Sequence, residues 1–229
     1  MFFDPIFLLF IIPPILLMLY AQWRVKNTFS KYSKVMNQRG LSGAQAARQI
    51  LDINGLADVP VEQVDGELTD HYDPRARALR LSTPVYGGRS VAALGIAAHE
   101  AGHALQHSEG YVPLQVRSLL VPAATFGSNL GWIMILGGLI LQFTAIAWLG
   151  VLFFAAGTLF ALVTLPVEFN ASSRAMAMLT SNGMIVTQDE QNQNQQVLNA
   201  AALTYIAGFL AALMQLIYWV LLVAGINRD

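Results

Sequence analysis

Four long apolar segments constrain this chain more than any other feature of its sequence. They cover residues 2–21, 118–141, 145–167 and 203–226. A helix of roughly 20 residues crosses a bilayer core about 30 Å thick, so each segment can span it once. Mean hydropathy is +0.50 and 12% of residues are charged, against roughly 25% in soluble domains. The sequence therefore predicts a mainly α-helical integral membrane protein with four transmembrane helices.

The composition excludes several classes of protein. The formal net charge is −1, whereas nucleic-acid-binding proteins carry an excess of basic residues. No nucleic-acid partner is therefore expected. The chain has no cysteine, which excludes a disulfide scaffold, a thiol nucleophile and a Cys-ligated metal. The first apolar segment lacks the basic start and the small-residue cleavage site of a signal peptide. We therefore expect residues 1–21 to remain as a membrane anchor.

The distribution of lysine and arginine predicts the orientation of the chain. Of 13 basic residues, 11 lie between Arg24 and Arg117, and such an excess marks the cytoplasmic side of a membrane. Residues 22–117 are therefore expected in the cytoplasm. A helical hairpin over 118–167, with its turn at Gln142-Phe143-Thr144, would return residues 168–202 to the same side. A fourth span and a short outer tail complete the chain over 203–229.

Residues 22–117 are predicted to form a small cytoplasmic α+β domain with a short sheet. Ser42 is expected to cap a helix that stops at Asn54-Gly55, and Ser90 to cap an alanine-rich helix. Residues 59–64 and 78–82 alternate between apolar and polar positions, as strands do. A polar loop is expected over residues 70–75. The Gln/Asn-rich stretch 188–196 is typical of a solvated loop or a helix start.

The candidate site is the run His99-Glu100-Ala101-Gly102-His103 on the alanine-rich helix. Residues four apart lie about 6 Å from each other on one helix face, so both imidazoles can bind a single Zn²⁺ ion. The Glu100 carboxylate is placed to take a proton from an attacking water as a general base. Three of the four histidines in the chain fall within nine positions, which favours a metal site over two packed core histidines.

A catalytic zinc ion needs a third protein ligand. His107 is a weak candidate, because about 12 Å of helix rise separates it from His99. His71 remains an alternative if the polar loop folds over the site. Glu168 is preferred, because it stands where the third apolar segment ends and the count of crossings places it in the compartment of the histidines. The predicted metal ligands are His99, His103 and Glu168, and the predicted catalytic residue is Glu100.

Several short blocks follow one another along the chain, namely Asp70-His71-Tyr72-Asp73-Pro74, Leu79-Arg80-Leu81-Ser82, Val85-Tyr86, Ala98-His99-Glu100-Ala101-Gly102-His103-Ala104 and Gly110-Tyr111. Their order resembles that of one known family, the YugP-like neutral zinc metallopeptidases of bacterial membranes. The resemblance covers nearly the whole chain. It implies a membrane protein with zinc peptidase activity.

A more distant resemblance is to the CAAX-prenyl and HtpX-type membrane peptidases, which join a zinc helix to membrane spans. It implies a gluzincin-type site, with Glu168 as the third ligand. Those families usually carry an aspartate four residues after this glutamate, which orients a histidine ligand. This chain has Ser172 there, so Asn170 or Ser173 is expected to substitute. Zinc peptidases also bind substrate as an added strand at a sheet edge, a role expected here of residues 78–82.

These features predict an integral, multi-pass zinc endopeptidase of the plasma (inner) membrane, with a zincin-like domain and an active site that faces the cytoplasm. Its partners would be the lipid bilayer and a peptide or membrane-protein substrate, in particular membrane-associated or misfolded proteins. No sequence feature sets its oligomeric state. The alternative is a non-catalytic membrane scaffold or adaptor that retains the zinc site. Candidates for stabilising the reaction's oxyanion stay open and comprise Arg174, His71, Tyr72 and Tyr86.

Overall fold

A computed structural model describes residues 5–225. Residues 2–4 of the first predicted span and the predicted tail 227–229 lie outside the described residues. The described elements are, in chain order, α1 (Pro5–Tyr32), α2 (Gly43–Ile53), β1 (Val61–Val64), β2 (His71–Asp73), β3 (Ala78–Ser82), α3 (Thr83–Tyr86), α4 (Val91–Ser108), α5 (Val112–Ile140), α6 (Thr144–Ser181) and α7 (Gln188–Gly225). The predicted mainly helical architecture with a short sheet is confirmed.

Four of the described helices are long and apolar enough to cross a membrane, namely α1, α5, α6 and α7. They correspond to the four predicted spans. Each helix is longer than the apolar segment that predicts it, because the helical backbone continues into polar sequence. Helix α6 extends to Ser181 and α7 begins at Gln188, so the Gln/Asn-rich stretch is the start of a helix. Gln142, with a φ of 57°, lies in the turn between α5 and α6.

The chain divides into two compact units. Unit 1 consists of Met1–Gln22, Val112–Pro166 and Leu203–Asp229, and unit 2 of Trp23–Tyr111 and Val167–Ala202. In unit 1, glycines allow α5 and α6 to approach closely. A Cβ atom on Gly131 would lie 2.7 Å from the carbonyl oxygen of Gly150, and one on Gly127 would lie 2.8 Å from that of Phe153. Small residues at helix contacts are typical of packing in lipid.

In unit 2, a small sheet and helix α2 pack with α4 around an apolar core. The strand order is β1-β3-β2, with β1 parallel and β2 antiparallel to β3. Strand β3 is therefore central, and four of its five residues are buried. The prediction that residues 78–82 form a substrate-binding edge strand is wrong, because both edges of β3 are already paired.

Two helix starts in unit 2 are confirmed. The Ser42 side chain accepts a hydrogen bond from the backbone N–H of Gln45, whose side chain bonds back to the N–H of Ser42, which forms a capping box. The Ser90 hydroxyl oxygen accepts a hydrogen bond from the N–H of Ala93 at the start of α4. The loop predicted over residues 70–75 is wrong in part. Residues 71–73 form strand β2, which is too short to show an alternating pattern.

Candidate metal centre

Helix α4 presents the two histidines and the glutamate of the candidate site in a buried setting. His99, Glu100 and His103 are each at most 9% exposed. The two imidazole ring centroids lie 4.8 Å apart, as the four-residue spacing on one helix face predicts. Burial of three ionisable side chains is costly unless they are paired or bind a metal ion. These side chains therefore need polar partners from a neighbouring element.

Gly102 allows helix α6 to approach the site. A Cβ atom at this position would lie 2.8 Å from the carbonyl oxygen of Ala171, which is closer than real Cβ atoms come to a neighbour. Residues 168 and 172 flank Ala171 on α6 and lie one turn apart. The contact that the small Gly102 permits therefore brings these two positions of α6 next to the histidines of α4.

Glu168 completes a group of three ligand atoms. Its Oε2 atom lies 3.3 Å from Nε2 of His99 and 3.5 Å from Nε2 of His103, and no two ligand atoms of the group are more than 4.8 Å apart. A tetrahedral zinc ion with bonds of about 2.0–2.1 Å holds its ligand atoms about 3.3–3.5 Å apart. The Glu168 contacts match that spacing, so the three residues fit Zn²⁺. All three belong to unit 2.

The outer nitrogen of each histidine has its own polar partner. Nδ1 of His99 lies 3.2 Å from the hydroxyl of Ser172, and Nδ1 of His103 lies 3.0 Å from Oε1 of Gln106. Ser172, in place of the usual aspartate, thus contacts a histidine itself. The expectation that Asn170 or Ser173 substitutes for it at that histidine is wrong, although Asn170 accepts a hydrogen bond from Gln106. Both contacts leave Nε2 directed at the metal position.

Comparison with known proteins supports a zinc site. Residues 7–224 match the family described as "Putative neutral zinc metallopeptidase". The chain belongs to this family. It is also 51% identical, over 203 residues, to the "Putative membrane protease YugP" of Bacillus subtilis (strain 168), an alignment that covers 89% of this chain and 90% of that protein. No solved structure matches the chain significantly. Family membership and the ligand geometry together confirm the predicted cofactor, Zn²⁺.

Glu100 lies beside the metal group of this family member without belonging to it. Its Oε2 atom accepts a hydrogen bond of 3.0 Å from the backbone N–H of Tyr72. Tyr72 is the middle residue of β2. This strand lies at one edge of the described three-stranded sheet, where β3 is its neighbour. The glutamate of α4 and the open edge of the sheet therefore meet at this contact.

The other ligand candidates are bound elsewhere. The exposed ring of His71 lies 2.8 Å from the carbonyl oxygen of Thr69, and Nδ1 of His107 lies 2.8 Å from the hydroxyl of Tyr72. Neither histidine belongs to the metal group. Among the oxyanion candidates, the Arg174 guanidinium binds Glu109 at 2.7 Å, and Tyr86 packs on the apolar core.

Burial, hydrogen bonds and nearby charges together shift the pKa of two groups in unit 2. Burial by itself would lower the pKa of His103, but its hydrogen bond to the Glu168 carboxylate and the nearby Glu100 charge raise that pKa above its ordinary value. Burial raises the pKa of Asp70, against the hydrogen bonds that its carboxylate accepts from Ser82. Through those bonds, Asp70 ties the start of β2 to the end of β3.

Proposed function

We propose that this protein is an integral-membrane, gluzincin-like zinc endopeptidase with Glu100 as its catalytic residue. The observation that carries the proposal is the placement of Glu168 at 3.3 Å and 3.5 Å from the two histidine Nε2 atoms, with Glu100 next to them on α4. Three protein ligands are typical of a catalytic zinc site, whereas a structural zinc ion is held by four. The described group contains three.

The proposed reaction is hydrolysis of a peptide bond. His99, His103 and Glu168 would hold a zinc ion, which would supply polarisation of the scissile carbonyl and a lowered pKa of the attacking water. Glu100 takes a proton from that water as its oxygen bonds to the carbonyl carbon. The same carboxylic acid then gives the proton to the peptide nitrogen, so the C–N bond breaks and releases a carboxylic acid and an amine. His99, His103 and Glu168 hold their fixed positions throughout.

The substrate is proposed to bind as an extended segment along β2. This strand has the open sheet edge that β3 lacks, and Glu100 already contacts it through the N–H of Tyr72. Backbone hydrogen bonds along an edge give affinity with little demand on side chains. Such binding suits an enzyme that acts on misfolded or membrane-associated proteins of varied sequence.

Unit 2 is proposed to be a zincin-like domain that faces the cytoplasm from the plasma membrane. The support is the concentration of basic residues in this part of the chain. Eleven of the 13 lysines and arginines lie in unit 2, and basic residues near spans stay on the cytoplasmic side. Substrates reaching the site would then be cytoplasmic segments of membrane proteins or proteins held at the membrane surface.

The proposal is tested with the full chain in detergent micelles, loaded with zinc. Glu100→Gln keeps the size of the side chain but cannot take a proton. We expect it to bind one zinc ion per chain and to hydrolyse quenched fluorescent peptides roughly 100-fold more slowly or worse. Glu62→Gln, which removes a carboxylate that pairs with Arg80 on the sheet, is the control and should keep the wild-type rate.

Two results would overturn the proposal. If Glu100→Gln cuts at the wild-type rate, Glu100 is not the base. If the wild type binds zinc and hydrolyses neither the peptides nor a membrane-anchored substrate faster than Glu100→Gln, the protein is a non-catalytic zinc-binding scaffold instead.

A further inference from the structure

A series of polar contacts connects His103 to an ion pair between Arg174 on α6 and Glu109 at the end of α4. Gln106, which is fully buried, lies one turn after His103 on α4. Its Oε1 atom lies 3.0 Å from Nδ1 of His103. Its Nε2 atom donates to the carbonyl oxygen of Val167 at 2.8 Å and to Oδ1 of Asn170 at 2.9 Å. The Gln106 amide thus joins α4 to the segment of α6 that carries Glu168.

Arg174 forms the other end of this series of polar contacts. Its Nε atom donates to Oδ1 of Asn170 at 2.7 Å, and its Nη2 atom binds the Glu109 carboxylate at 2.7 Å. An arginine side chain has donors and no acceptor. The group of Asn170 that faces Arg174 must therefore be the oxygen. That same oxygen is the acceptor for Gln106.

The direction of each contact then follows from the one before. Nε2 of Gln106 faces two oxygens, so it must be the amide nitrogen, and Oε1 is left to face His103. Because an amide oxygen can only accept, the hydrogen of the His103 ring must lie on Nδ1. Zinc binding then displaces the second ring proton, which Nε2 shares with Glu168 in the metal-free protein, and leaves the Nε2 lone pair for the metal.

We propose that Arg174 is a positioning residue, which acts through Asn170 and Gln106 to hold His103 in the tautomer and ring orientation that bind zinc. The proposal rests on the proposed function, since it assigns a role in the same zinc site. His99 differs, because its partner Ser172 is a hydroxyl that either donates or accepts. The hydrogen on Nδ1 of His103 is thus fixed by contacts within the protein, whereas the contact of His99 with Ser172 leaves its Nδ1 hydrogen unassigned.

An aspartate in place of Asn170 should remove the need for Arg174. Both oxygens of an aspartate accept hydrogen bonds, so Gln106 would be oriented whichever way the carboxylate turns. We expect Arg174→Met to weaken zinc affinity about 10- to 100-fold, the usual loss when a partner of a ligand is removed. Asn170→Asp should bind zinc within about 2-fold of the wild type. The double variant Arg174→Met/Asn170→Asp should recover most of the affinity that Arg174→Met loses.

The affinities are measured by chelator competition with zinc on the full chain in micelles. Arg48→Met is the matched control, because Arg48 is also a half-buried arginine that binds a carboxylate, Asp52, and it lies on α2 without a contact to the ligands. It should leave zinc affinity unchanged. An unchanged affinity in Arg174→Met would overturn the proposal. So would an equal loss from Arg174→Met with and without Asn170→Asp, because Arg174 would then act only through general packing.

A second measurement reports the hydrogen bond from Nδ1 of His103 to Gln106 itself. In the zinc-loaded protein labelled with ¹⁵N-histidine, the Nδ1–H proton of His103 should exchange slowly with solvent in the wild type and faster in Arg174→Met. An identical Nδ1–H signal and exchange rate in both proteins would overturn the proposal. All of these readouts are taken in the Glu100→Gln background. They therefore separate this inference from the proposed activity, which fails or holds by peptide hydrolysis in the wild type.

Discussion

The two units of the molecule use the same kind of helix contact for different ends. In unit 1, Gly131 brings the backbones of α5 and α6 together, and the side chains that surround the contact are apolar. In unit 2, Gly102 brings α4 and α6 together, and the contact places three buried ionisable side chains in one group. Close packing of helices stabilises unit 1, whereas in unit 2 it also creates a site.

The two units also differ in their content of ionisable residues. The described part of unit 1 contains no aspartate, glutamate or histidine. Several of its hydroxyls bond to their own helix, as Thr164 does to the carbonyl oxygen of Phe160. Unit 2 holds the buried acids and histidines, and their cost is offset by mutual contacts and by the zinc ion that they fit. Function in this protein is therefore expected to depend on unit 2 and insertion on unit 1.

We expect the largest difference in zinc affinity when two buried polar residues of helix α6, one in each unit, are substituted. Glu168→Ala removes a proposed zinc ligand, so zinc affinity should fall by more than the roughly 100-fold loss typical of a ligand's partner. Thr158→Val, ten residues earlier on α6 in unit 1, removes a hydroxyl that donates to the carbonyl oxygen of Ala212 at 3.3 Å. It should cost at most about 1 kcal/mol of stability and no zinc affinity.

The measurement is chelator competition with zinc, together with thermal unfolding of each purified variant in micelles. If Glu168→Ala keeps wild-type zinc affinity, the third ligand is another residue and the proposed site is wrong. If Thr158→Val weakens zinc binding as much as Glu168→Ala does, the functional separation between the units is wrong.

A matched pair of glycine substitutions should give an intermediate effect. Gly102→Ala and Gly131→Ala each place a Cβ atom less than 3 Å from a carbonyl oxygen of α6. Overpacking of this kind costs about 1–3 kcal/mol. In unit 2 the strain should push α6 away from α4 and weaken zinc binding, whereas in unit 1 it should lower the melting temperature and leave zinc affinity intact.

Zinc affinity and melting temperature are compared for the two variants and the wild type. If Gly131→Ala lost zinc affinity and Gly102→Ala kept it, zinc binding would depend on the helix contact in unit 1, contrary to this prediction. Equal zinc affinity in all three proteins would show that α6 does not need Gly102 in order to reach the histidines.

The sequence predicts the parts of the site that depend on local spacing. His99 and His103 converge because they are four residues apart on one helix, and Ser90 marks where that helix begins. Glu168 follows from counting membrane crossings, which needs only the number of apolar segments. His99 and Glu168 are 69 residues apart in the chain. Counting the predicted membrane crossings between them puts both residues on one side of the membrane without any knowledge of the intervening fold.

The remaining contacts depend on packing that has no local pattern. Strand β2 has three residues and is recognisable only from its pairing with β3. The prediction of an open edge at β3 failed because strand order in a sheet is set by long-range pairing. The alternation of apolar and polar residues along one strand does not reveal that order. Gln106 was missed, although its position three residues after His103 on α4 placed it on the same helix face. Its partners on α6 lie more than 60 residues away.

The smallest effect, on acid stability, should come from an ion pair that crosses the sheet of unit 2. The Asp73 carboxylate on β2 binds Arg80 on β3. The N–H of Ala76 lowers the pKa of Asp73 most, followed by Arg80 and the N–H of Arg75. A lowered folded-state pKa stabilises the fold above the unfolded-state pKa of about 3.9, and this contribution disappears as the pH falls through the folded-state value. The stability difference between wild type and Asp73→Asn should therefore shrink as the pH falls from about 5.

The free energy of unfolding of the metal-free wild type, Asp73→Asn and Asp58→Asn would be measured against pH in the same micelles. Asp58→Asn, which removes an exposed carboxylate paired with Arg77 at 3.4 Å, is the comparison variant. The described part of unit 1 should contribute nothing to the slope, because it holds no aspartate, glutamate or histidine. A difference for Asp73→Asn that grows towards low pH would have the wrong sign. It would show that the sheet, and with it the edge next to Glu100, does not depend on the charged form of Asp73.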